Sequence, residues 1–503
     1  MQRPHRKFPG SRPAPQSANA SDGPRGRRGR PKRGRQEDER APHGKKRRVF
    51  GGDREGPAAD GARAPEATDG ELRFSDLLMQ LARRAAPDRV AGARHPEPLA
   101  RLDYAQELDL KNRALQEFWT ARGLPDKPNR ILPSPRPRGY RTTTKRRIIR
   151  KGPGFGLSFL TGKSAEAHAG GGESLVEPPE HKAIYAFLLG KLNTEAYHGL
   201  AGALNYIIIR GGYDRLSVLF NVHRLSSDVV RKAKLLGAHL QSPEHKVASA
   251  FLFFDPSRSE YYFEARDPEG PWKLKKLFGP DDIRLQVKDR TYAFQPTAFC
   301  QVNASILPDF LAKAEQLLKP KPPYRLLDLY CGYGFFTLPL ARDYSEALGV
   351  DLGGPAIASA QKMAAAESPG KVRFRPGRIT AKALDRLLPP PDAEHPEALL
   401  LDPPRQGTKP GVIRALAARN PARILHIFCD MDTLPREVNQ WRKAGFMVSK
   451  VVPLDMFPGT DDLEVMVLFI PDRYGILNRI DKERLQRTKG GRTDTPSFPE
   501  VDG

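Results

Sequence analysis

The stretch LLDLYCGYGFFTLPLA, residues 326–341, decides the fold, because an apolar strand runs directly into a turn that contains two glycines. A helical pattern begins after this turn at Thr337, and a second apolar segment over residues 347–351 ends at Asp351. Strands that are apolar on both faces and alternate with helices are typical of a parallel sheet that is covered on both sides. The sequence therefore predicts an α/β, doubly wound domain with a Rossmann-like sheet.

The same alternation of strands and helices continues towards the C-terminus. Further buried strands are predicted at residues 372–375, 398–402 and 424–428, with helices at 356–366, 411–418 and 437–444. The last two apolar segments, residues 447–453 and 464–470, would close the sheet as a hairpin-like pair. This predicted domain covers residues 292–471, and residues 472–503 are predicted to be a flexible C-terminal tail.

Residues 71–291 have a different pattern, which predicts a smaller α+β middle domain. The helical segments are 108–119, 181–192 and 226–237, and the short strand-like segments are 204–210, 216–222, 250–254 and 260–265. A basic, proline-rich strip over residues 133–147 follows the first of these helical segments and precedes the others. We expect this strip to be an exposed and solvated loop; the alternative is that its Tyr140 stacks on a base. The middle domain is interpreted as the RNA-binding or substrate domain.

The chain has 503 residues and a formal net charge of +24. Half of this excess lies in residues 1–50, which contain 16 Lys or Arg and 4 Asp or Glu, a net charge of 16 − 4 = +12. Such a segment, rich in Arg, Gly and Pro, cannot bury enough apolar surface to fold, so residues 1–70 are predicted to be a disordered basic arm. This arm is either a solubilising tail or a non-specific tether for RNA phosphates.

Cysteine content and hydropathy exclude several classes of protein. Three cysteines are too few for a disulfide-stapled secreted domain or for a four-cysteine metal site within this chain. No apolar run approaches the roughly 18–20 residues of a membrane-spanning helix. We therefore expect a cytoplasmic protein without a membrane partner and with no metal site, and the net charge makes nucleic acid the first partner to consider.

The turn at residues 330–334 predicts a nucleotide-like ligand. Gly332 and Gly334 permit a close approach of the backbone, and Asp351 follows at the distance that suits a ribose diol. A dinucleotide site requires a third glycine, but that position is Thr337 and follows two bulky aromatic residues. The turn therefore favours a nucleoside cofactor without a pyrophosphate.

Two later strands end in further candidate residues. Asp402, which precedes two prolines and Arg405, would be held rigidly at the ligand edge of the sheet; the alternative is that it only caps the next helix. Cys429 follows the next strand, although most lone cysteines are small buried apolar residues. The acidic loop over residues 455–464 reaches the same edge, and composition alone does not choose among its carboxylates.

Taken together, these segments resemble the RNA uracil-5-methyltransferases, which make 5-methyluridine in ribosomal and transfer RNA. The resemblance is carried by FCQVN at 299–303, LLDLYCGYGFFTLPLA at 326–341, LLLDPPRQG at 399–407, Cys429 and LDMFPGTDDLEVMVLF at 454–469. Weaker similarities are YAQELDLK at 104–111 and PRPRGYRT at 135–142. The form of the FCQVN segment is similar to the branch that acts on 23S rRNA.

The resemblance implies a function and roles for particular residues. It implies a class I enzyme that uses S-adenosyl-L-methionine, with RNA as its partner, rRNA rather than tRNA, and a monomeric state. Cys429 would be the nucleophile that adds to uracil C6, and Glu464 would be the base that removes the C5 proton. The cofactor contacts implied are Gln301, Tyr330, Gly332, Phe335, Asp351 and Asp402.

The chain also departs from the family pattern. Many members carry an iron–sulfur cluster on four N-terminal cysteines, and the cysteines at 300, 331 and 429 do not form such a set, so no cluster is expected. The nucleophile, which usually lies in Ser-Cys-Asn-Pro, is followed here by Asp430, whose charge would raise the pKa of the thiol. Three alternatives stay open: a tRNA uracil-5 enzyme, an RNA cytosine-5 enzyme, or a catalytically weak RNA-binding protein with a role in ribosome assembly.

Overall fold

The computed structural model describes residues 72–92, 95–158, 174–258, 273–473 and 475. These residues belong to one compact unit, which extends over residues 57–503. The predicted arm at 1–70, the strand predicted at 260–265 and most of the predicted tail at 472–503 lie outside the described residues. Among the described helices, none is both long enough and apolar enough to cross a membrane.

The helices form where apolar residues recur at helical spacing. In the helix Tyr104–Ala121, the side chains of Leu110, Ala114 and Phe118 are buried along one face, and Asp103 caps the first turn by accepting hydrogen bonds from two backbone N–H groups. In chain order, the described α-helices are α1 (Phe74–Ala85), α2 (Tyr104–Ala121), α3 (Pro179–Leu192), α4 (His198–Ala201), α5 (Ser227–His239), α6 (Leu307–Leu318), α7 (Thr337–Leu340), α8 (Pro355–Glu367), α9 (Leu384–Leu387), α10 (Val412–Ala417) and α11 (Leu434–Lys443).

A six-stranded sheet occupies the middle of the chain. Its strands are β1 (Thr144–Lys151), β2 (Gly154–Ser158), β3 (Leu204–Gly211), β4 (Leu216–Val222), β5 (Val247–Phe254) and β6 (Lys273–Phe278). They are arranged in the order β2-β1-β3-β4-β5-β6, and the pair β4–β5 is parallel while the other neighbours are antiparallel. Helices α3 and α5 pack on one face of this sheet and share an apolar core with it.

A second, seven-stranded sheet forms the C-terminal part of the fold. A two-stranded hairpin, β7 (Ile283–Val287) and β8 (Arg290–Phe294), precedes it. The strands of the sheet are β9 (Arg325–Leu329), β10 (Glu346–Asp351), β11 (Val372–Pro376), β12 (Glu397–Leu401), β13 (Arg423–Phe428), β14 (Phe446–Leu454) and β15 (Glu464–Pro471). Their order is β11-β10-β9-β12-β13-β15-β14, in which only β15 runs antiparallel to its neighbours. This arrangement confirms the predicted doubly wound α/β fold, including its final hairpin-like pair.

Two apolar cores cover the two faces of the seven-stranded sheet. One is completed by the β7–β8 hairpin together with α6 and α8, and the other by α10 and α11 together with α1 and α2. Phe74 of α1 and Phe118 of α2 meet edge to face, with their ring centroids 6.1 Å apart, within this second core. Helices α1 and α2, which come before the six-stranded sheet in the chain, therefore belong to the core of the seven-stranded sheet. The division of the chain at residues 291 and 292 stays a prediction.

Candidate active site

The candidate site lies at the carboxyl ends of the central strands of the seven-stranded sheet. Strand β9 has β10 on one side and β12 on the other, so the direction of winding reverses between β9 and β12. Leu329 at the end of β9 pairs with Val350 of β10 and with Leu401 of β12. Tyr330, Asp351 and Asp402 follow these three residues directly. They therefore meet where open α/β sheets bind their ligands.

The turn after β9 presents backbone to this crevice. Tyr330 and Gly332 have φ angles of +67° and +53°, and a Cβ atom added to Gly332 would meet nothing within 4 Å. The carboxylate of Asp351 accepts hydrogen bonds from the backbone N–H of Gly332 at 2.7 Å and of Leu352 at 2.5 Å. Burial raises the pKa of Asp351, and these two hydrogen bonds oppose that rise. The open backbone at Gly332 and the fixed carboxylate beside it form a place for a ribose-like group.

Asp402 and Asp328 add two further carboxylates beneath the crevice. The amide of Gln301 donates to Asp402, with Nε2 3.5 Å from Oδ2, and the hydroxyl of Thr337 donates to Asp328 at 2.5 Å. Burial, followed by the charge of Asp351, raises the pKa of Asp402 to about 7. Burial raises the pKa of Asp328 to about 8, with a smaller contribution from the charges of Asp402 and Asp351. Three crowded carboxylates make this crevice favourable for a cation.

Cys429 lies one strand further along, directly after β13. Its side chain is half-buried, whereas Cys300 and Cys331 are buried, and its Sγ lies 3.9 Å from the carbonyl oxygen of Pro403. Burial raises the pKa of the Cys429 thiol well above its ordinary value, the charges of Glu464 and Asp402 raise it further, and Arg405 opposes them. These surroundings therefore oppose formation of the Cys429 thiolate.

Glu464 is the first residue of β15, which pairs with β13, the strand that carries Cys429 at its end. The residue is 1% exposed. Burial raises the pKa of Glu464 well above its ordinary value, the charge of Asp402 raises it further, and Arg405 again opposes the rise. Arg405 itself forms an ion pair with Asp462, with Nη2 2.8 Å from Oδ2. The structure thus brings the predicted pair, Cys429 and Glu464, to one edge beside Asp402 and Arg405.

Two of the predicted cofactor contacts have different surroundings. The ring of Phe335 is 5% exposed and packs in an aromatic cluster with Tyr292, Phe310 and Phe336, at centroid distances of 5.8, 6.2 and 4.6 Å. Phe335 therefore packs as part of the apolar core, and its contacts give no support to the predicted cofactor contact. The hydroxyl of Tyr330 is buried and finds no hydrogen-bond partner within the part of the chain that the structure describes.

Sequence reasoning missed a buried ionic cluster next to the acidic loop. Glu107 and Lys111 of α2 are fully buried, and Lys111 contacts Asp455 at the end of β14. The only sequence signal was the segment YAQELDLK, which places a lysine on the apolar face of a helix, four residues after a glutamate. Among the described residues, no group of three or more His, Cys, Asp or Glu side chains is arranged to hold a metal ion.

Residues 273–388 match the sequence family described as tRNA (Uracil-5-)-methyltransferase. An RNA methyltransferase of Lactococcus lactis named YljE is 25% identical over 299 residues, which are 58% of this chain and 63% of that protein. The 23S rRNA (uracil(1939)-C(5))-methyltransferase RlmD of Enterobacter sp. (strain 638) is 34% identical over 240 residues, 46% of this chain and 51% of that protein. The chain thus spans about half to two thirds of the length of these curated relatives.

Among solved structures, the tRNA (uracil-54, C5)-methyltransferase of Pyrococcus abyssi in complex with S-adenosyl-L-homocysteine is similar at 20% sequence identity. The similarity covers 76% of this chain and 88% of that chain, with a TM-score of 0.49. The family match over residues 273–388 and the curated relatives are independent of that comparison. They confirm the resemblance that the motifs predicted: the chain is similar to RNA uracil-5-methyltransferases.

Proposed function

We propose that this protein is an S-adenosyl-L-methionine-dependent methyltransferase that makes 5-methyluridine in RNA, with 23S rRNA as its substrate, and that it works in the cytoplasm. The observation that carries the proposal is the meeting of Cys429 and Glu464 at the sheet edge next to the crevice formed by Asp351 and Asp402. A thiol that adds to C6, a carboxylate that removes the C5 proton and an adjacent cofactor site are what methylation at uracil C5 requires.

The crevice fits the proposed cofactor. Asp351 is positioned to accept hydrogen bonds from a ribose diol, and the backbone at Gly332 leaves open space beside it. The unpaired hydroxyl of Tyr330 and the amide of Gln301 lie at the same end of the sheet. S-adenosyl-L-methionine, when bound, supplies an electrophilic methyl group on a positively charged sulfonium. The carboxyl group of Asp402, in its ionised form, favours such a positive charge over a neutral group.

The residues of the chain then divide the reaction into two easier steps. Cys429 gives up its proton to solvent, and its thiolate forms a bond to uracil C6 while the electron pair of the C5–C6 double bond moves towards C5 and the C4 carbonyl. C5 would then take the methyl group as the bond between that methyl and the cofactor's sulfur breaks, its electron pair staying on the sulfur. C5 thereby becomes tetrahedral and still carries its proton. The carboxylate of Glu464 removes this proton, and the electron pair restores the double bond and expels the Cys429 thiolate. The raised pKa of Glu464 makes its carboxylate a stronger proton acceptor.

The proposed substrate is single-stranded or flipped-out RNA, because C5 and C6 of a stacked uridine are inaccessible to a protein side chain. The relatives that are 34 to 35% identical are named as enzymes of uracil 1939 in 23S rRNA, and this favours 23S rRNA over tRNA. Methylation of a tRNA uridine or of an RNA cytosine is the alternative product. Nucleoside mass spectrometry of 23S rRNA and of tRNA, each treated separately with the purified protein, distinguishes these products.

Covalent trapping tests the proposed mechanism. With a 23S rRNA transcript that contains 5-fluorouridine, the wild-type protein and the cofactor should form a complex that survives a denaturing gel, because fluorine at C5 cannot leave as a proton. Cys429→Ala should give no such complex while still binding the cofactor. Glu464→Gln should accumulate a complex even on ordinary uridine, since nothing removes the C5 proton. Uridine methylation by Cys429→Ala would contradict the proposal.

A catalytically weak RNA-binding protein is a second candidate, and one observation favours it. Asp430, adjacent to the nucleophile, contributes to the raised pKa of Cys429, so the thiolate is scarce before substrate binds. A protein of this kind would bind the 23S rRNA transcript but fail to trap the 5-fluorouridine form. The trapping experiment therefore separates the two candidates with one preparation of RNA.

A further inference from the structure

A cluster of four charged residues, three of them fully buried, lies between α2 and the loop that joins β14 to β15. The ammonium group of Lys111 lies 2.9 Å from a carboxylate oxygen of Glu107 and 2.8 Å from one of Asp455, and it also donates to the carbonyl oxygen of Phe457 at 3.2 Å. The side chains of these three charged residues have no exposed surface. Lys111 thus fills its three donor sites entirely inside the protein.

Glu107 extends the cluster to the turn in the middle of the same loop. Its Oε1 accepts a hydrogen bond from the backbone N–H of Gly459 at 2.6 Å, and its Oε2 accepts one from Arg138 at 2.9 Å. Two cations and two carboxylates therefore balance. Through Asp455, Phe457 and Gly459, helix α2 holds the start, the middle and the turn of the 455–463 loop.

The 455–463 loop is also in contact with the candidate site. The amide of Asn303, two residues after Gln301, donates to the carbonyl oxygen of Met456 at 3.1 Å. Further along the loop, Asp462 pairs with Arg405, and Glu464 begins β15 directly after it. The place of the Glu464 carboxylate therefore depends on a loop whose first half is anchored by buried charges.

We propose that Lys111 and Glu107 are positioning residues that hold Glu464 in reach of the proton at uracil C5, an inference that rests on the proposed function. A well-packed apolar cluster would serve stability as well as a buried ionic one, because the charges lose their hydration. The ionic cluster adds directional contacts at defined points of the loop. Such contacts fix a base to within the fraction of an ångström that proton transfer needs.

The test measures two rates in the variant Lys111→Met. One reports on bond formation by Cys429 and the other on proton removal by Glu464. Trapping on the 5-fluorouridine 23S rRNA transcript reports on Cys429 and methyl transfer, since no proton is removed there. Release of tritium from a transcript labelled at uridine C5 reports on proton removal. We expect trapping within about twofold of wild type and tritium release slowed by about 10- to 100-fold, the cost of a misplaced group.

A matched control removes another buried charge, at the edge of the seven-stranded sheet opposite the candidate site. Glu397, 3% exposed at the start of β12, pairs with Arg325 at 2.5 Å and with Arg419. Glu397→Gln should lower thermal stability, as Lys111→Met should. It should, however, slow trapping and tritium release by the same factor or leave both rates unchanged. If Lys111→Met does not fold, Asp455→Asn keeps the side-chain shape, removes one charge and should show the same selective loss.

The outcomes distinguish the inference from the proposed function. Equal slowing of trapping and tritium release in both Lys111→Met and Asp455→Asn, matching Glu397→Gln, would overturn the positioning role and leave only a structural one. Wild-type rates in a folded Lys111→Met would overturn it as well. Failure of the wild-type protein to trap the 5-fluorouridine transcript would instead contradict the proposed function itself.

Discussion

Cys429 lies among acidic side chains, and this neighbourhood opposes thiolate formation. Burial raises the pKa of the thiol most, and the carboxylates of Glu464, Asp402 and Asp430 each add to the effect while Arg405 counteracts them. In the family that the sequence resembles, asparagine usually stands at the position of Asp430. The extra carboxylate is thus a property of this chain, and its effect on the thiol is measurable.

We predict that Asp430→Asn makes Cys429 more reactive, because removal of a nearby negative charge lowers the pKa of the thiol. The rate of alkylation by iodoacetamide at pH 8, followed by peptide mass spectrometry, should rise a few-fold, below the roughly tenfold that one pKa unit would give. Cys300 and Cys331 are buried and serve as internal references. An unchanged or slower rate at Cys429 would show that Asp430 does not act on the thiol.

Asp402 should make cofactor binding depend on pH near neutrality. Its pKa in the free protein is raised to about 7, so the carboxyl group is mostly neutral at pH 6 and mostly ionised at pH 8. A positively charged ligand favours the ionised form, so binding should release protons, and affinity should rise as pH increases through 7. Calorimetry with S-adenosyl-L-methionine at pH 6, 7 and 8 measures this dependence.

The neutral thioether S-adenosyl-L-homocysteine is the control for that measurement, since it lacks the sulfonium charge and should show a weaker dependence on pH. Asp402→Asn should flatten the dependence for S-adenosyl-L-methionine. Equal pH profiles for the two ligands with the wild-type protein would mean that Asp402 does not sense the sulfonium.

The positions of the site residues could be predicted where a residue follows directly after a buried strand. This rule placed Asp351, Asp402 and Cys429 at one sheet edge, where the structure has them, while their roles stay predictions. The rule could not anticipate that the ring of Phe335 turns into an aromatic core, because the direction of a side chain in a turn depends on its neighbours in space. It also gave no sign that Lys111 meets a residue 344 positions away.

Strand β10 and its neighbour β11 are packed so closely that one position permits only glycine. A Cβ atom added to Gly349 would lie 2.4 Å from the ring of Phe374 and 2.8 Å from the sulfur of Cys331. Both neighbours are buried. This contact sets the distance between the strand that ends in Asp351 and the turn that carries Gly332.

We predict that Gly349→Ala lowers the free energy of unfolding by about 1–3 kcal/mol, the usual cost of an overpacked core. It should also weaken cofactor binding, because the turn at Gly332 must shift to make room. Urea unfolding and calorimetry measure the two effects. The matched control is Gly190→Ala in α3, where an added Cβ meets nothing within 4 Å and helix propensity favours alanine; a loss of stability there would contradict the packing argument.

Elements with strong apolar periodicity could be predicted from the sequence, and elements without it could not. The segments 204–210 and 216–222 correspond to the fully buried strands β3 and β4. The basic segment after Arg141 was expected to be a solvated loop, but it forms β1 between β2 and β3, and nearby Tyr140 is 0% exposed. Long basic side chains keep their charges at the surface while their backbone joins a sheet, so composition hides such a strand.

At the scale of the whole molecule, the net charge can be read directly from the sequence. The net charge is +24, and +12 of it belongs to residues 1–50, outside the described residues. We propose that this segment adds phosphate contacts to RNA binding without taking part in the reaction. Each contact with a single strand would contribute about 0.7 to the slope of log affinity against log salt concentration.

We predict that deletion of residues 1–50 weakens binding to a 23S rRNA transcript and flattens the salt dependence of the affinity. The rate of methylation at saturating RNA should stay close to that of the full chain. Filter binding between about 50 and 200 mM salt gives the slope. A salt slope identical to that of the full chain would show that the arm is only a solubilising tail.

The contact between Lys111 and Asp455 has a consequence for synthesis of the protein on the ribosome. At roughly 5–20 residues per second, the 344 residues that separate them take about 20–70 seconds to make. Until β9 and the strands after it have been made, the nascent α1 and α2 have no sheet to cover, and their apolar faces are open to chaperones or to misassociation. A ribosome that stops before Asp455 releases a polypeptide whose buried lysine lacks this partner. Chaperones and proteases would therefore encounter an incompletely folded chain until strand β15 has been made.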